Sequence, residues 1–188
     1  MSDEMLIQHC APTLAGIKTG NMFSCECRSR EEIKKHVRRL NSLLGSKGIR
    51  VLPLKYSEGR VLIYIYRPNR LKRDFSDEST ISLLESYGYT PENPERCVVH
   101  LVNRLRTNEE FPHEVGLFLG YPPEDVKGFI DSKTCDHNCK DCKCVGNWKV
   151  YGNVEEAEKT FKKYKKCTDV YSLKWLGGKS VEKLTVAV

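Results

Sequence analysis

The run Arg60-Val61-Leu62-Ile63-Tyr64-Ile65-Tyr66 decides the fold. Alternate residues of an extended chain face opposite sides, so Val61, Ile63 and Ile65 share one face while Leu62, Tyr64 and Tyr66 share the other. Both faces are apolar or amphipathic, which calls for an internal strand covered on both sides. A second β-rich run, Ile49–Tyr56, precedes it across Ser57-Glu58-Gly59. Two such runs around a short Gly-containing turn are the clearest hairpin signal in the chain.

Upstream of the hairpin, residues 22–27 alternate roughly and read as a strand. Ser29 then stands three residues before Glu32, the spacing of a capping box. Ile33, Val37, Leu40 and Leu44 follow at helical spacing, and Gly45 is a natural stop. Downstream, Pro68 ends the strand and Asp77 caps a short helix carrying Ile81, Leu84 and Tyr87. Pro94 opens a helix with Val98, Leu101, Val102 and Leu105. Pro112 and Pro122-Pro123 each start a further helical piece, the first bearing Val115, Phe118 and Leu119, the second Val126, Phe129 and Ile130. Residues 148–151 read as a short strand. A basic helix follows in which Val154, Ala157, Phe161, Tyr164 and Cys167 share a face. Residues 183–188 look like a final strand. The expected architecture is a single α+β domain over 1–188, a short mixed β-sheet with a central hairpin packed against several helices. Residues 131–146 form a cysteine-rich loop within it.

Composition agrees with a globular chain: 188 residues, 39% hydrophobic and 30% charged, with a formal charge of +6. No apolar run approaches the roughly 20 residues that span a bilayer. The start, Met1-Ser2-Asp3-Glu4, is acidic and has no apolar segment of a secretory signal, so a cytoplasmic protein with no membrane association is expected. The charge is uneven: residues 28–50 carry +6, residues 51–131 carry −3 and residues 132–188 carry +5. These basic blocks fall on amphipathic helices, and no nucleic-acid-binding motif accompanies them, so no nucleic-acid partner is expected.

Nine cysteines stand out in a chain without a secretory signal. Where thiols stay reduced, a dense cluster reads as metal-binding or redox-active rather than as a disulfide framework. Cys135, Cys139, Cys142 and Cys144 form a C-x3-C-x2-C-x-C pattern with His137 inside it. Thiolates at such spacing suit zinc or an iron–sulfur cluster, with Cys10, Cys167 or the Cys25/Cys27 pair as distant ligands. The competing reading is a mobile loop of silent thiols. Cys97, in an apolar run, reads as core.

Two further segments carry candidate chemistry. In residues 9–18, Cys10 sits among small residues beside His9 and is a candidate nucleophile, with His113 or His100 as base if the fold brings one near. A buried structural segment accounts for it equally well. In residues 111–122, His113-Glu114 follows Pro112; this is not the zinc-protease pattern, because residue 117 is Leu. Gly116 and Gly120 allow close approach of another element or of a flat ligand. Gly177-Gly178-Lys179-Ser180 lacks the first glycine of a phosphate loop, residue 173 being Leu, and reads as a turn.

Taken together, HCAPTLAGIKTGNMFS (9–24), YIYRPNRL (64–71), FPHEVGLFLGYPPEDVKGFI (111–130), CKCVGNWKVYG (142–152) and FKKYKKCTDVY (161–171) resemble an uncharacterised bacterial domain-of-unknown-function family met mainly in anaerobes. The resemblance runs collinearly over nearly the whole chain. It implies cysteines matching Cys10, Cys144 and Cys167 and an association with iron and flavodoxin-type redox physiology. The leading expectation is a cytosolic metal- or iron–sulfur-binding protein of redox or iron metabolism, its ligands drawn from Cys10, Cys139, Cys142, Cys144 and Cys167. The alternatives are a thiol enzyme using Cys10, and an adaptor whose lysine-rich helix, 155–166, docks an acidic redox protein.

Overall fold

The computed structural model describes residues 2–107, 110–134 and 142–187. Its frame is a three-stranded antiparallel sheet ordered β1-β3-β2, made of β1 (Gly20–Glu26), β2 (Arg50–Ser57) and β3 (Arg60–Tyr66). β3 is the middle strand, pairing with β1 from Gly20↔Tyr66 to Glu26↔Arg60 and with β2 from Arg50↔Tyr66 to Ser57↔Arg60. The α+β class and central hairpin follow the expectation, although among the described residues every strand pair is antiparallel, where a mixed sheet would include a parallel one. β2 is an edge strand, where Pro53 leaves no ladder donor missing from the sheet interior.

Helices cover both faces, as the β3 pattern demands. Val61, Ile63 and Ile65 join Phe23, Cys25 and Val51 in one apolar layer, closed by α1 (Asp3–Leu14) and α2 (Arg30–Leu44). Tyr64 and Tyr66 face the other layer, closed by α3 (Pro68–Asp74), α4 (Glu78–Ser86), α5 (Pro94–Thr107), α6 (Val115–Phe118) and α7 (Pro123–Thr134). Each fully buried aliphatic side chain in these layers contributes about 1.5–3 kcal/mol. Cys97 is core, as expected, its thiol donating to the Thr90 carbonyl at 3.2 Å. The remaining elements are a small hairpin, β4 (Cys144–Val145) with β5 (Lys149–Val150), then α8 (Val154–Leu176) and α9 (Val181–Leu184).

Helix α1 and the C-terminal segment depart from the sequence expectation, whereas the Ser29 cap follows it. α1 is absent from the sequence reading: residues 10–14 are all buried, so the C-terminal part of the helix has no exposed polar face and no continuous amphipathic stripe runs along it. Ser29 caps α2 by accepting the Glu31 N–H at 3.2 Å. The expected last strand is instead the single turn α9, where Ser180 accepts from the Lys183 N–H, followed by a tail whose Val186 N–H donates to Leu14 O. A run as short as residues 183–188 is not long enough for its periodicity to separate helix from strand.

That tail is locked by Arg67. Its side chain is buried and donates to four carbonyls: Thr13 at 2.7 Å, Leu14 at 2.7 Å, Lys47 at 3.0 Å and Val186 at 2.8 Å. One guanidinium thus ties the end of α1, the turn before β2 and the C-terminal segment to the end of β3. No described helix is long and apolar enough to cross a membrane.

Candidate functional site

Two recesses are linked through Tyr121, which walls the first together with Trp148 and lies against Lys18, a wall of the second; both draw on the family-like segments. Asp125, in the first turn of α7, sets the geometry. Its carboxylate is buried and accepts the Trp148 Nε1–H at 2.7 Å, the Tyr151 N–H at 2.7 Å and the Gly152 N–H at 2.7 Å. A carboxylate at a helix N-terminus is favoured by the helix dipole, and here it also anchors the chain from Trp148 to Gly152. Trp148 then stacks on Tyr121, with ring centroids 4.9 Å apart, and meets Phe161 of α8 edge-on at 4.6 Å. Tyr121 donates its hydroxyl to the Asn147 carbonyl at 3.2 Å.

On one side of this pair lies an apolar cavity of about 420 Å³. Phe111, His113, Tyr121, Phe129 and Trp148 supply its rings, and Val115, Gly116 and Val126 also line it. Gly116 is required by packing: a Cβ there would lie 2.7 Å from Val126 Cγ2. His113 meets Phe129 edge-on at 5.0 Å, and the Lys149 ammonium stands 5.5 Å from the Phe129 ring centroid. Glu114, the neighbour of His113, points away into the core. It accepts the Tyr89 hydroxyl at 2.8 Å and pairs with Arg104 Nε at 3.0 Å. The His113-Glu114 pair therefore divides between the cavity and a buried ion pair.

On the other side Lys18 reaches the Tyr121 ring. Helix α1 ends at a turn in which Gly16 has φ +76°, a conformation that suits glycine. The chain folds back so that both Ile17 and Lys18 donate their N–H to Pro12 O. Lys18 is thereby carried inward, to 3% exposure, with its Nζ 5.1 Å from the Tyr121 centroid and 5.7 Å from that of Tyr164. Burial pulls its pKa down to about 8, against a smaller opposing effect of Cys10. Burial also pushes up the hydroxyls of Tyr121 and Tyr164, each to about 12, so both rings stay neutral.

The model of the family described as "Protein of unknown function (DUF3793)" matches residues 6–185. The chain belongs to this family. No curated protein and no solved structure matches it. The matched span in this DUF3793 protein takes in both recesses, Asp125 and the Lys18 turn.

The cysteines are distributed differently from the sequence expectation. Cys10 is fully buried in the layer between α1 and the sheet, where burial raises its thiol far above the usual range. Burial of this kind disfavours the thiolate that a nucleophile needs, so the structure lends the Cys10 nucleophile no support. His113 lines the aromatic cavity and His100 stacks on Tyr89 at 4.4 Å, so each has a place other than beside Cys10. Cys167, on α8, packs against the same layer as Cys10, and burial raises its thiol too. Cys142 and Cys144 lie at the start of the β4–β5 hairpin, with the Cys142 thiol 3.2 Å from the Cys144 carbonyl. Cys139, Cys135 and His137 lie outside the described residues. Among the described residues, no group of three or more His, Cys, Asp and Glu side chains could hold a metal ion, and all seven described cysteines are free.

The sequence reading missed Lys18, Tyr121, Asp125 and Trp148 as site residues, although all four stood in quoted segments. The usable signal was a lysine among small residues just after a Gly turn, and an Asp in the first turn after a Pro-Pro pair.

Proposed function

We propose that this DUF3793 protein binds a flat aromatic small molecule bearing an anionic substituent in the cavity between α6, α7 and the β4–β5 hairpin. The observation that carries this reading is an apolar cavity walled by five rings with the Lys149 ammonium on its lining. Ligand pockets are typically apolar with a few placed polar groups, and aromatic walls favour offset or edge-on contact with a flat ring. Asp125 also lines the cavity, but three donors already occupy its oxygens. The lysine therefore provides the charge that selects an anion.

Titration with 1-naphthalenesulfonate, followed by fluorescence in a Trp175→Phe background, tests this reading. Saturable quenching of Trp148 is expected, weakened about tenfold or more by Phe129→Ala, a loss of roughly 1.4 kcal/mol. Lys149→Met should weaken the sulfonate and leave 1-naphthol unchanged. Non-saturable binding, or equal affinity in the Phe129 variant, would overturn the assignment.

A second reading follows the free thiols Cys142 and Cys144 at the start of the β4–β5 hairpin. Under it, zinc or an iron–sulfur cluster is held by Cys139, Cys142 and Cys144, in the service of redox or iron metabolism. The described cysteines alone do not fit such a group, and the burial of Cys10 and Cys167 opposes the thiolate that a metal needs. Anaerobic purification with metal and sulfide analysis decides it: a folded protein free of metal would remove it. Docking of an acidic redox protein draws support from Lys163, Lys165 and Lys166, all exposed on α8, whereas Lys159 and Lys162 pair with Glu155 and Glu158 of the same helix. Charge reversal at those three lysines should abolish any salt-sensitive binding.

A further inference from the structure

We propose that Lys18 is the amine of an imine-forming site for a small aldehyde or ketone that carries a carboxylate. The site is separate from the aromatic cavity, being a cleft of about 240 Å³ between α1 and α8. His9, Asn21, Asn147, Lys165 and the carboxylate-bearing Asp169 line it together with Lys18.

The placement of the amine is the argument. A buried lysine ordinarily has a carboxylate or several hydrogen-bond acceptors, since an unpaired buried charge is costly. Among the described residues Lys18 Nζ has no carboxylate partner and no hydrogen bond, only the faces of Tyr121 and Tyr164. It is held at the wall of a polar cleft by a turn that Gly16 and the Pro12 carbonyl define. Such an arrangement does little for stability and presents one amine, in one orientation, to a molecule of a few heavy atoms. At the same cleft, Lys165 of α8 supplies an exposed cation for a carboxylate, and Asn21 and Asn147 supply amides.

The chemistry balances without an oxidant or reductant. The neutral amine's lone pair forms the N–C bond as the carbonyl π electrons move to oxygen. A proton passes from nitrogen to that oxygen and gives the carbinolamine. The C–O bond then breaks, the oxygen leaves as water with a second proton, and the nitrogen lone pair completes C=N. His9, on the same cleft, is the imidazole available to protonate the departing hydroxyl. The groups that bear on the amine's protonation are Cys10 and His9 from α1, Tyr121 from the segment before α7, and Tyr164, Lys165 and Asp169 from α8. With Lys18 lowered to about 8, its neutral fraction at pH 7 exceeds that of an ordinary lysine by roughly 300-fold. Lower basicity weakens the nucleophile and takes back part of that advantage.

The test is trapping with glyoxylate and cyanoborohydride on the full chain, read by peptide mass mapping. Imine formation and reduction leave a carboxymethyl group on the amine. Lys18 should be modified at least about tenfold faster than Lys163 or Lys166, in a saturable manner, with a rate rising between about pH 7 and 9. Pyruvate should compete. Lys18→Arg should lose that adduct and keep the others. The wild-type map alone suffices if the variant does not fold: labelling of Lys18 no faster than of the surface lysines would overturn the proposal. Loss of naphthalenesulfonate binding would leave it untouched.

Discussion

The indole Nε1–H of Trp148 donates to Asp125 Oδ2 across 2.7 Å, and this one bond joins the start of α7 to the turn of the β4–β5 hairpin 23 residues later. The other carboxylate oxygen takes the backbone N–H groups of Tyr151 and Gly152. Three donors therefore converge on one buried anion. Asp125→Asn exchanges an acceptor for a donor that faces another donor. A loss of about 2–4 kcal/mol in denaturant unfolding is expected, with a shift of Trp148 emission toward that of a solvated indole. A change below about 0.5 kcal/mol would show that the carboxylate does not anchor the hairpin.

Arg67 makes a different kind of lock, a cation held by carbonyls rather than by a carboxylate. Lysine cannot replace the planar fork, because one ammonium has three donors and none in a fixed plane. Arg67→Lys should cost about 1–3 kcal/mol, and Arg67→Met more, since the Thr13, Leu14 and Val186 carbonyls each lose a charged donor, and Thr13 and Leu14 keep only a backbone N–H. The C-terminal segment after α9 should release first. Hydrogen exchange at Val186, whose N–H donates to Leu14 O, reports it directly.

Cys10 should be chemically silent in the folded protein. It is fully buried, and burial pushes its thiol far up. Alkylation at pH 8 should modify Cys10 at least about 100-fold more slowly than half-buried Cys144. Equal rates, or an alkylation midpoint depressed below the ordinary thiol range, would restore Cys10 as a nucleophile.

Lys18 makes stability depend on pH. Its folded pKa of about 8 lies below the ordinary 10.5, so between these values the unfolded chain holds more protons on this group. Stability from this group therefore rises as pH increases from about 8 toward 10.5, and below pH 8 the buried charge is a constant cost. Lys18→Met should remove that dependence and stabilise the protein at pH 7 by about 1–3 kcal/mol, the lost Tyr121 and Tyr164 contacts offsetting part of the gain. Buried thiols such as Cys10 act in the opposite sense above pH 9, and Cys10 feels the Lys18 charge, so the comparison is made with Cys10→Ala in both proteins to isolate Lys18. Parallel stability curves for the two proteins from pH 7 to 10 would contradict the buried amine.

How much of this was legible varies with the range of the interaction. The two-faced alternation of residues 60–66 placed β3 between two layers, and Gly59 and the capping residues Ser29 and Asp77 marked real boundaries. The cysteine spacing, by contrast, drew attention to thiols that the fold distributes among different places: Cys10 in a core layer, Cys142 and Cys144 at a surface hairpin. Spacing along the chain reports which residues are neighbours in sequence, and says little about which side chains share a cavity.

Sequence alone determined the layers, because the period of apolar residues is a local property and burial of each stripe has few solutions. The tertiary structure decided the site. Lys18, Tyr121 and Tyr164 are separated by more than a hundred residues along the chain in the first step and by more than forty in the second. They meet because α1, the turn before α7 and α8 pack together, and that convergence depends on all the layers at once. The unpaired burial of one amine is invisible in its neighbours and plain in its surroundings.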